Sequence, residues 1–237
     1  MIKIENLNKS FGKLDVLKNI NLNFDAAEVI CLIGPNGSGK TTLIKCLLGL
    51  VLPDSGKVFV KGESVLGTWA YRKDFGYMPQ IGRFPEQMKI QQVFQMMKDL
   101  RGGTGMIDEE LVDSFSLGGM MEKRMGYLSG GTRQKVSAAL AYLFNPEILI
   151  LDEPTAGLDP ISSERLKSKV LKEKQHGKLT LITSHNMTEV EELADKVIFI
   201  VDGSIQLNKT VDEIKKDTNE SRLGKALAIM MEGQSIV

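Results

Sequence analysis

The 237-residue chain has little of several features that mark specialised classes of protein. Its 30 basic side chains are balanced by 30 acidic ones, so it lacks the positive excess that nucleic-acid-binding proteins use. It has only two cysteines, Cys31 and Cys46, which lie in apolar runs at no spacing that suits a metal site. The sequence therefore predicts no nucleic-acid partner, and it favours two buried thiols in a reducing compartment.

The sequence predicts neither a secretory leader nor a membrane-spanning run. Charged residues stand among the first positions, where a secretory signal needs an apolar stretch. The longest uninterrupted apolar stretches, such as Val197–Val201, have the length of a β-strand, well below the roughly 20 residues that cross a bilayer. We expect a protein that is soluble alone and reaches a membrane only through a partner.

The pattern of apolar residues indicates strands that alternate with helices. Asp15–Phe24 alternates apolar and polar residues with a period of two, and Val29–Ile33 is a continuous apolar run. A helix follows, with apolar residues at helical spacing as far as Val51. Later in the chain helices separate three further apolar strands, at Ile148–Asp152, Leu179–Thr183 and Lys196–Val201. This order predicts an α/β protein with a mainly parallel sheet and a strand-rich N-terminal part.

The segment from about residue 84 to residue 144 has helical character instead. One apolar face runs from Val93 to Leu100, Gly102–Gly105 is expected to break it, and a short helix should begin after Asp108. A further helix is predicted from about Thr132 to residue 144, before Asn145-Pro146. We interpret this segment as a helical insertion into the α/β core.

Eight of the twelve methionines lie between Met78 and Met125, inside or beside this insertion. Thioethers can bind Cu(I), which keeps metal handling open. Methionine also fills irregular helical cores and adaptable docking surfaces, and this interpretation is favoured.

The stretch that follows the strand Val29–Ile33 matches the phosphate-binding pattern G-x-x-x-x-G-K-[ST]. Glycines permit the conformations that turn successive N–H groups inward, and the following helix points its N-terminus at the same phosphates. Lys40 is suited to the β- and γ-phosphates, and the Thr41 hydroxyl to Mg²⁺. The residues that we expect to bind ATP here are Gly34, Pro35, Asn36, Gly37, Ser38, Gly39, Lys40, Thr41 and Thr42.

The predicted strand Ile148–Asp152 ends in an acid, and a second acid, Glu153, follows it directly. A carboxylate at the end of a buried strand is costly without a partner, and Mg²⁺ would supply one for Asp152. Glu153 is one residue further along and so points in another direction, where it is suited to accept the proton of an attacking water. His185 follows the strand Leu179–Thr183 by two residues. It should therefore lie at the edge of the sheet where parallel strands bring their carboxyl ends together. It is predicted to sense or stabilise the γ-phosphate.

A second possible anion site is formed by Leu128-Ser129-Gly130-Gly131-Thr132, just before a predicted helix. One nucleotide needs only one such cradle. This stretch resembles the signature motif of the ATP-binding-cassette (ABC) ATPases. The phosphate-binding loop and the two acids resemble further motifs of the same family. The resemblance extends over nearly the whole chain, and it implies a single nucleotide-binding domain, 2–231, with the helical subdomain inserted at about 84–144.

The resemblance implies several further assignments. The fold would be a P-loop NTPase core with an N-terminal antiparallel β subdomain and an inserted helical subdomain. Phe11 would stack on adenine, Gln80 would contact Mg²⁺ and water, and Asp159 would lie in a loop that crosses between subunits. Ser129, Gly130 and Gly131 would contact the γ-phosphate of ATP held by a second subunit. The working unit would be a homodimer bound to a separate transmembrane permease subunit at the cytoplasmic face of the membrane.

Thr132 stands where the family most often has glutamine, and this variant resembles the exporter-type (ABC-2) branch. Within it the chain looks similar to ATPases of transporters that help to mature nitrous oxide reductase. The segment Ile81–Met88, with exposed-looking Phe84 and Met88, is expected to dock a short helix of the permease. Two alternatives are soluble ABC ATPases that act on ribosomes or on DNA. The former usually carry two cassettes and the latter a long coiled coil, and the sequence indicates neither.

Overall fold

The computed structural model describes residues 1–65, 67–102 and 106–234. Its strands are β1 Ile2–Phe11, β2 Leu14–Phe24, β3 Val29–Ile33, β4 Ser55–Val60, β5 Glu63–Ser64, β6 Phe75–Met78, β7 Ile148–Asp152, β8 Leu179–Thr183, β9 Lys196–Val201 and β10 Ser204–Thr210. Its α-helices are α1 Lys40–Leu47, α2 Ile90–Leu100, α3 Glu110–Ser114, α4 Gly130–Tyr142, α5 Pro160–Gln175, α6 Met187–Leu193, α7 Val211–Thr218 and α8 Leu223–Gln234.

The strands form two sheets. An antiparallel sheet has the order β2-β1-β4-β5, and a central sheet has the order β10-β9-β3-β8-β7-β6. Within the central sheet β9, β3, β8, β7 and β6 are parallel, and only β10 pairs antiparallel, with β9. The predicted α/β class, with its mainly parallel sheet, antiparallel subdomain and helical insertion, is confirmed.

Strand alternation divides the apolar residues of the central sheet between cores on its two faces. All five residues of β3 are buried. Ile30 and Leu32 pack with α1 and the antiparallel sheet, whereas Cys31 and Ile33 pack with α6, α7 and α8. A strand that is covered on both faces needs a continuous apolar run, because side chains with a period of two face both cores. Both cysteines are buried and unpaired, and burial raises the pKa of the Cys46 thiol to about 11.

The helical insertion lies between β6 and β7, and its apolar residues share a core with one face of the central sheet and with α5. Met78 and Met125 are buried in this core, and Met88, Met97, Met120 and Met121 pack partly buried against it. Six of the eight methionines of this region therefore fill the core, as favoured from the sequence, whereas Met106 is 71% exposed. Asp108 accepts a hydrogen bond from the Glu110 N–H at 3.0 Å, beside the predicted start of a helix. Of the predicted break Gly102–Gly105, all but its first residue lie outside the described residues.

Some element boundaries differ from the prediction. Helix α1 ends at Leu47 rather than near Val51, because Gly49 takes a left-handed conformation (φ 65°) that stops it. Helix α4 begins at Gly130, two residues earlier than predicted, because Ser129 caps it. Strand β6 and the elements after Gly203, namely β10, α7 and α8, were not predicted.

The prediction that Phe84 and Met88 are exposed is wrong. Both are half-buried and pack against the core of the insertion, because the chain folds back there toward α2 and α4. Among the described residues, no helix is long and apolar enough to cross a membrane.

Candidate nucleotide site

A cavity of about 300 Å³ lies at the carboxyl ends of the central strands. Four connections meet there, since β3 leads into the loop before α1, β6 leads to Gln80, β7 ends at Asp152, and β8 leads to His185. The sheet thus brings together residues that are far apart in sequence. The cavity is lined by Phe11, Leu14, Val16, Asn36, Gly37, Ser38, Gly39, Lys40, Thr41, Thr42, Gln80, Asp152, Glu153 and His185.

The loop from Gly34 to Gly39 turns β3 into α1 through three left-handed glycines. Gly34, Gly37 and Gly39 have φ of 148°, 81° and 107°. A Cβ at Gly34 would lie 2.1 Å from the Ile200 carbonyl oxygen, and one at Gly39 would lie 2.6 Å from the Val16 carbonyl oxygen. Glycine is therefore required at Gly34 and Gly39 by close approach of the backbone as well as by φ.

Helix α1 has no side-chain cap, because its N-cap residue is Gly39. The first N–H groups of a helix have no partner within the helix, and here they open onto the cavity. The Lys40 ammonium donates to the carbonyls of Gly34 at 2.7 Å and Pro35 at 3.0 Å, across the same loop. Burial lowers the pKa of Lys40, and the nearby carboxylates of Asp152 and Glu153 oppose that shift. The result is a concentration of N–H and ammonium donors, as an anion requires.

Asp152 and Glu153 are held by the adjoining strand β8. The Thr183 hydroxyl donates a hydrogen bond to Asp152 Oδ1. It also accepts one from the Glu153 N–H, which lies 3.0 Å from both the hydroxyl and the carbonyl oxygen of Thr183. Glu153 has φ of 50°, a conformation that is uncommon for residues other than glycine. The two acids therefore leave the strand in different directions.

His185 lies against Glu153, with 2.9 Å between His185 Nε2 and Glu153 Oε1. Hydrogen bonds of Ser184 fix the loop that carries the histidine. The Ser184 hydroxyl donates to the buried carboxylate of Glu189 at 2.6 Å and accepts the Asn186 N–H at 3.1 Å. The imidazole is about half exposed and borders the cavity, where it can approach a bound anion.

Gln80 and Phe11 also line the cavity. Gln80 is exposed and follows β6 by two residues. Phe11 ends β1 with 52% of its surface exposed, and the Lys9 ammonium lies 5.3 Å from its ring centroid. Sequence reasoning missed Leu14 and Val16, which extend this apolar wall; β1 and β2 bring them beside Phe11. An exposed aromatic ring beside apolar side chains suits the flat face of a nucleobase.

Ser129, Gly130 and Gly131 are absent from the lining of this cavity. Ser129 is the N-cap of α4, and its hydroxyl accepts the Thr132 N–H at 3.2 Å. Ser129 and Gly130 are exposed, so the N-terminus of α4 lies on the open surface, where an anion can approach it. The chain thus has two helix N-termini of a kind that suits an anion, which we call the first cradle (Gly34–Thr42) and the second cradle (Ser129–Gly131). Asp152, Glu153 and His185 lie beside the first.

Asp159 is also outside the cavity and lies beside the second cradle. Its carboxylate accepts from the Ser162 N–H at 2.9 Å and pairs with the Lys135 ammonium of α4 at 2.7 Å. These contacts, that with Lys135 above all, hold the pKa of the Asp159 carboxyl well below its usual range. A Cβ at Gly131 would lie 2.6 Å from the Gly157 carbonyl oxygen, so the loop before α5 packs closely against the start of α4.

Comparison with known proteins agrees with this arrangement. A sequence model of the ABC transporter family matches residues 17–156. The lantibiotic transport ATP-binding protein SrtF of Streptococcus pyogenes is 37% identical over 215 residues, which cover 90% of this chain and 92% of the relative. The chain belongs to the ABC transporter family. Within that family it is an ATP-binding subunit.

Solved structures support the same fold. The ATP-binding subunit of an ABC transporter aligns with a TM-score of 0.89 and 25% identity, over 98% of this chain and 99% of that one. A dimeric ATP-binding cassette in a post-hydrolysis state, bound to ADP and phosphate, aligns with a TM-score of 0.79 and 24% identity, over 89% of this chain and 98% of that one.

Proposed function

We propose that this chain binds and hydrolyses ATP and powers transport by a separate transmembrane subunit. The observation that carries the proposal is the convergence of an uncapped helix N-terminus, two acids and a histidine from different strands on one cavity. Membership of the ABC transporter family gives the same activity.

Each side chain has a role that its position suits. The loop N–H groups and Lys40 would bind the phosphates, with the Lys40 ammonium moving from the loop carbonyls to the triphosphate. Glu153 would accept the proton of the attacking water. His185, in contact with Glu153, would bind the γ-phosphate. Phe11 would stack on adenine, with Leu14 beside it.

Mg²⁺ fits the donors that this chain offers. Thr41, Gln80 and Asp152 line the same cavity and provide a hydroxyl, an amide and a carboxylate oxygen, the ligand type that Mg²⁺ prefers. Asp152 is buried, with the Thr183 hydroxyl on one oxygen, so a cation would compensate its charge. Mg²⁺ bound there would neutralise charge on the β- and γ-phosphates.

A homodimer would complete the site. Ser129 and Gly130 of the second cradle are exposed and lie outside the cavity of their own chain, so this cradle is available to the γ-phosphate on a second subunit. The solved relative that is bound to ADP and phosphate is a dimer. ATP would then act as the bridge between subunits, and its hydrolysis would release them.

A groove of about 320 Å³ beside the insertion is our candidate for the surface that docks the permease. Its walls include Phe75, Tyr77, Phe84, Met97, Leu140 and Phe144. Strand β6 carries Phe75 and Tyr77 in the groove and leads directly to Gln80 in the nucleotide cavity. A shift of Gln80 toward a bound nucleotide would therefore be transmitted to the groove through β6 and the insertion.

The exposed apolar surface continues beyond this groove. The Tyr71 and Phe75 rings pack edge to face at 5.7 Å, and the Arg101 guanidinium, in the groove, donates to the Lys73 carbonyl at 2.7 Å. These contacts join the groove to the 3₁₀ turn after Trp69, which is 74% exposed. A short amphipathic helix of a permease is the partner that such a surface suits.

Several assignments belong to this proposal alone. They are a domain spanning 2–231 with the helical subdomain at about 84–144, and attachment to the cytoplasmic face through the permease. The exporter-type branch and the similarity to transporters for nitrous oxide reductase maturation stay predictions from the sequence.

Phosphate release from ATP by the purified chain tests the central proposal. We expect turnover with Mg²⁺ and none with EDTA, and we expect the chain to co-purify with a membrane protein encoded beside it. Absence of Mg²⁺-dependent ATP hydrolysis would overturn the enzymatic part. Association with ribosomes or DNA in place of a membrane protein would favour the alternatives.

A further inference from the structure

Two threonines lie in the same buried strand, β8, with opposite hydrogen-bond environments. Thr183 is 1% exposed, and its hydroxyl contacts both acids of the nucleotide cavity. Thr180 is 0% exposed, and its hydroxyl has no hydrogen-bond partner in the part of the chain that the structure describes. Both side chains occupy space in the core, but only one connects to the site.

The Thr183 hydroxyl uses its donor and its acceptor on consecutive residues of the neighbouring strand. It donates to Asp152 Oδ1 and accepts from the Glu153 N–H. Parallel pairing places Thr183 beside Asp152 in the ladder, so one hydroxyl reaches the carboxylate of the first acid and the backbone of the second. This orients the Asp152 carboxylate and leaves its other oxygen for a cation.

The second bond acts where the backbone departs from strand geometry. Glu153 has φ of 50°, and in the described part of the chain its N–H bonds to Thr183 alone, through the carbonyl and the hydroxyl at 3.0 Å each. Residues other than glycine keep such a conformation only where the surroundings fix it. The turn directs the Glu153 carboxylate toward His185 Nε2 at 2.9 Å.

We propose that Thr183 is a positioning residue of the hydrolytic site, which fixes the Mg²⁺ ligand Asp152 and the base Glu153 through one hydroxyl. This inference rests on the proposed function. Partners that orient a metal ligand typically change metal affinity or activity about 10- to 100-fold when they are lost. Thr183 itself contacts neither ATP nor Mg²⁺ in this scheme.

Thr183→Val tests the proposal, because valine keeps the shape and removes both hydrogen bonds. We expect kcat to fall about 10- to 100-fold and the Mg²⁺ concentration for half-maximal turnover to rise by about 10-fold. Binding of the fluorescent analogue MANT-ATP in EDTA should be unchanged, since the loop and Lys40 are intact. Thr183→Ser keeps the hydroxyl and should restore both the kcat and the Mg²⁺ requirement.

Thr180→Val is the matched control, with the same substitution in the same strand. It removes a buried hydroxyl that has no hydrogen-bond partner among the described residues. Turnover and the Mg²⁺ requirement should therefore equal those of the wild type, and thermal stability should be equal or higher. If Thr183→Val folds poorly, Thr183→Ala, which cannot clash, serves for the same measurements on the folded fraction.

The outcomes separate this inference from the proposed function. A wild-type chain without Mg²⁺-dependent turnover contradicts the function itself. An active wild type with normal kcat and Mg²⁺ dependence in Thr183→Val or Thr183→Ala overturns the role of Thr183 alone. The same losses in Thr180→Val, or a failure of Thr183→Ser to restore them, would show a packing effect and also overturn it.

Discussion

The two anion cradles of this chain differ in how their helices begin. Helix α1 starts at an uncapped, left-handed Gly39, whereas α4 starts at Ser129, whose hydroxyl already bonds to the Thr132 N–H. The first cradle is enclosed by a lysine, two acids and a histidine. The second is on the surface and packs against the loop that contains Gly157 and Asp159. The two cradles therefore differ in enclosure, since the first lies in a cavity and the second on the surface.

The difference in capping suits the two helix N-termini to different roles. A helix without a cap leaves N–H groups for a ligand, so ATP itself would cap α1. A serine cap stabilises the start of α4 without a ligand, so in the proposed dimer this surface would remain available to the γ-phosphate of ATP on a second subunit. Loss of the first cradle should therefore abolish binding, and loss of the second should abolish only closure of the dimer.

The largest effect is expected from Lys40→Ala in the first cradle. The variant removes a charge-assisted contact worth about 1.5–3 kcal/mol, so ATP affinity should fall roughly 10- to 100-fold and turnover should be lost. Equilibrium binding of MANT-ATP and phosphate release measure the two effects. Lys45→Ala, in the same helix but exposed, is the control and should behave as wild type. Wild-type affinity and turnover in Lys40→Ala would remove this lysine from the site.

Glu153→Gln should affect turnover and leave binding intact. The amide keeps an oxygen for the His185 contact but cannot accept a proton, so kcat should fall by about 10²- to 10⁴-fold at unchanged ATP affinity. Because ATP would persist, the variant should accumulate as an ATP-bound dimer, which light scattering detects. Glu63→Gln, on the exposed strand β5, is the control. A Glu153→Gln chain that stays monomeric with ATP at high concentration contradicts the shared site.

Ser129→Arg tests the second cradle. The bulky side chain should block closure and turnover, while ATP binding by the monomer stays near normal, because Ser129 is outside the cavity. Ser221→Arg adds the same bulk at an exposed position and should have no effect. Severe loss of ATP binding by the Ser129→Arg monomer would place this serine in the site of its own chain.

Mixing Ser129→Arg with Lys40→Ala sharpens the comparison further. In a mixed dimer one site combines an intact loop with an intact second cradle, and the other site has both defects. Recovery of turnover above that of either variant alone would show that the two cradles act across subunits. Normal turnover by Ser129→Arg alone would contradict any role for the second cradle.

The sequence predicts the first cradle well because its elements are local. A strand, a glycine-rich loop and a helix follow one another over residues 29–47, and each has its own signal. The partners of Asp152 and Glu153 are not local. Thr183 reaches them only through the register of β7 and β8, and a threonine in an apolar strand gives no sign of this.

Other differences have equally physical causes. The sequence predicts an exposed Phe84, but the fold of the insertion leaves its side chain half-buried against the core. The elements after Gly203 did leave a signal, since Thr210 and Glu213 form the capping box that begins α7. That pattern of four residues would have predicted the helix.

The smallest effect on the isolated chain is expected at the groove, where the burial of Phe84 changes the choice of variant. Phe84→Asp, the obvious test of docking, would place a charge against the core of the insertion and so confuse lost docking with lost stability. Trp69→Asp avoids this, because the Trp69 side chain is 74% exposed and outside the nucleotide cavity. We expect weaker binding of the permease, less transport, and soluble ATP turnover and thermal stability close to those of wild type.

Ile229→Asp is the control for this last variant, since it introduces the same charge at an exposed apolar position on α8. Pull-down of the permease and phosphate release, measured on the same preparation, decide between the possibilities. If Trp69→Asp and Ile229→Asp bind the permease equally well, the docking surface does not include this turn. If Trp69→Asp loses soluble turnover, the turn acts on the nucleotide cavity itself. Loss of permease binding in Trp69→Asp alone, with turnover retained, would mean that transport depends on a surface which hydrolysis by the isolated chain does not need.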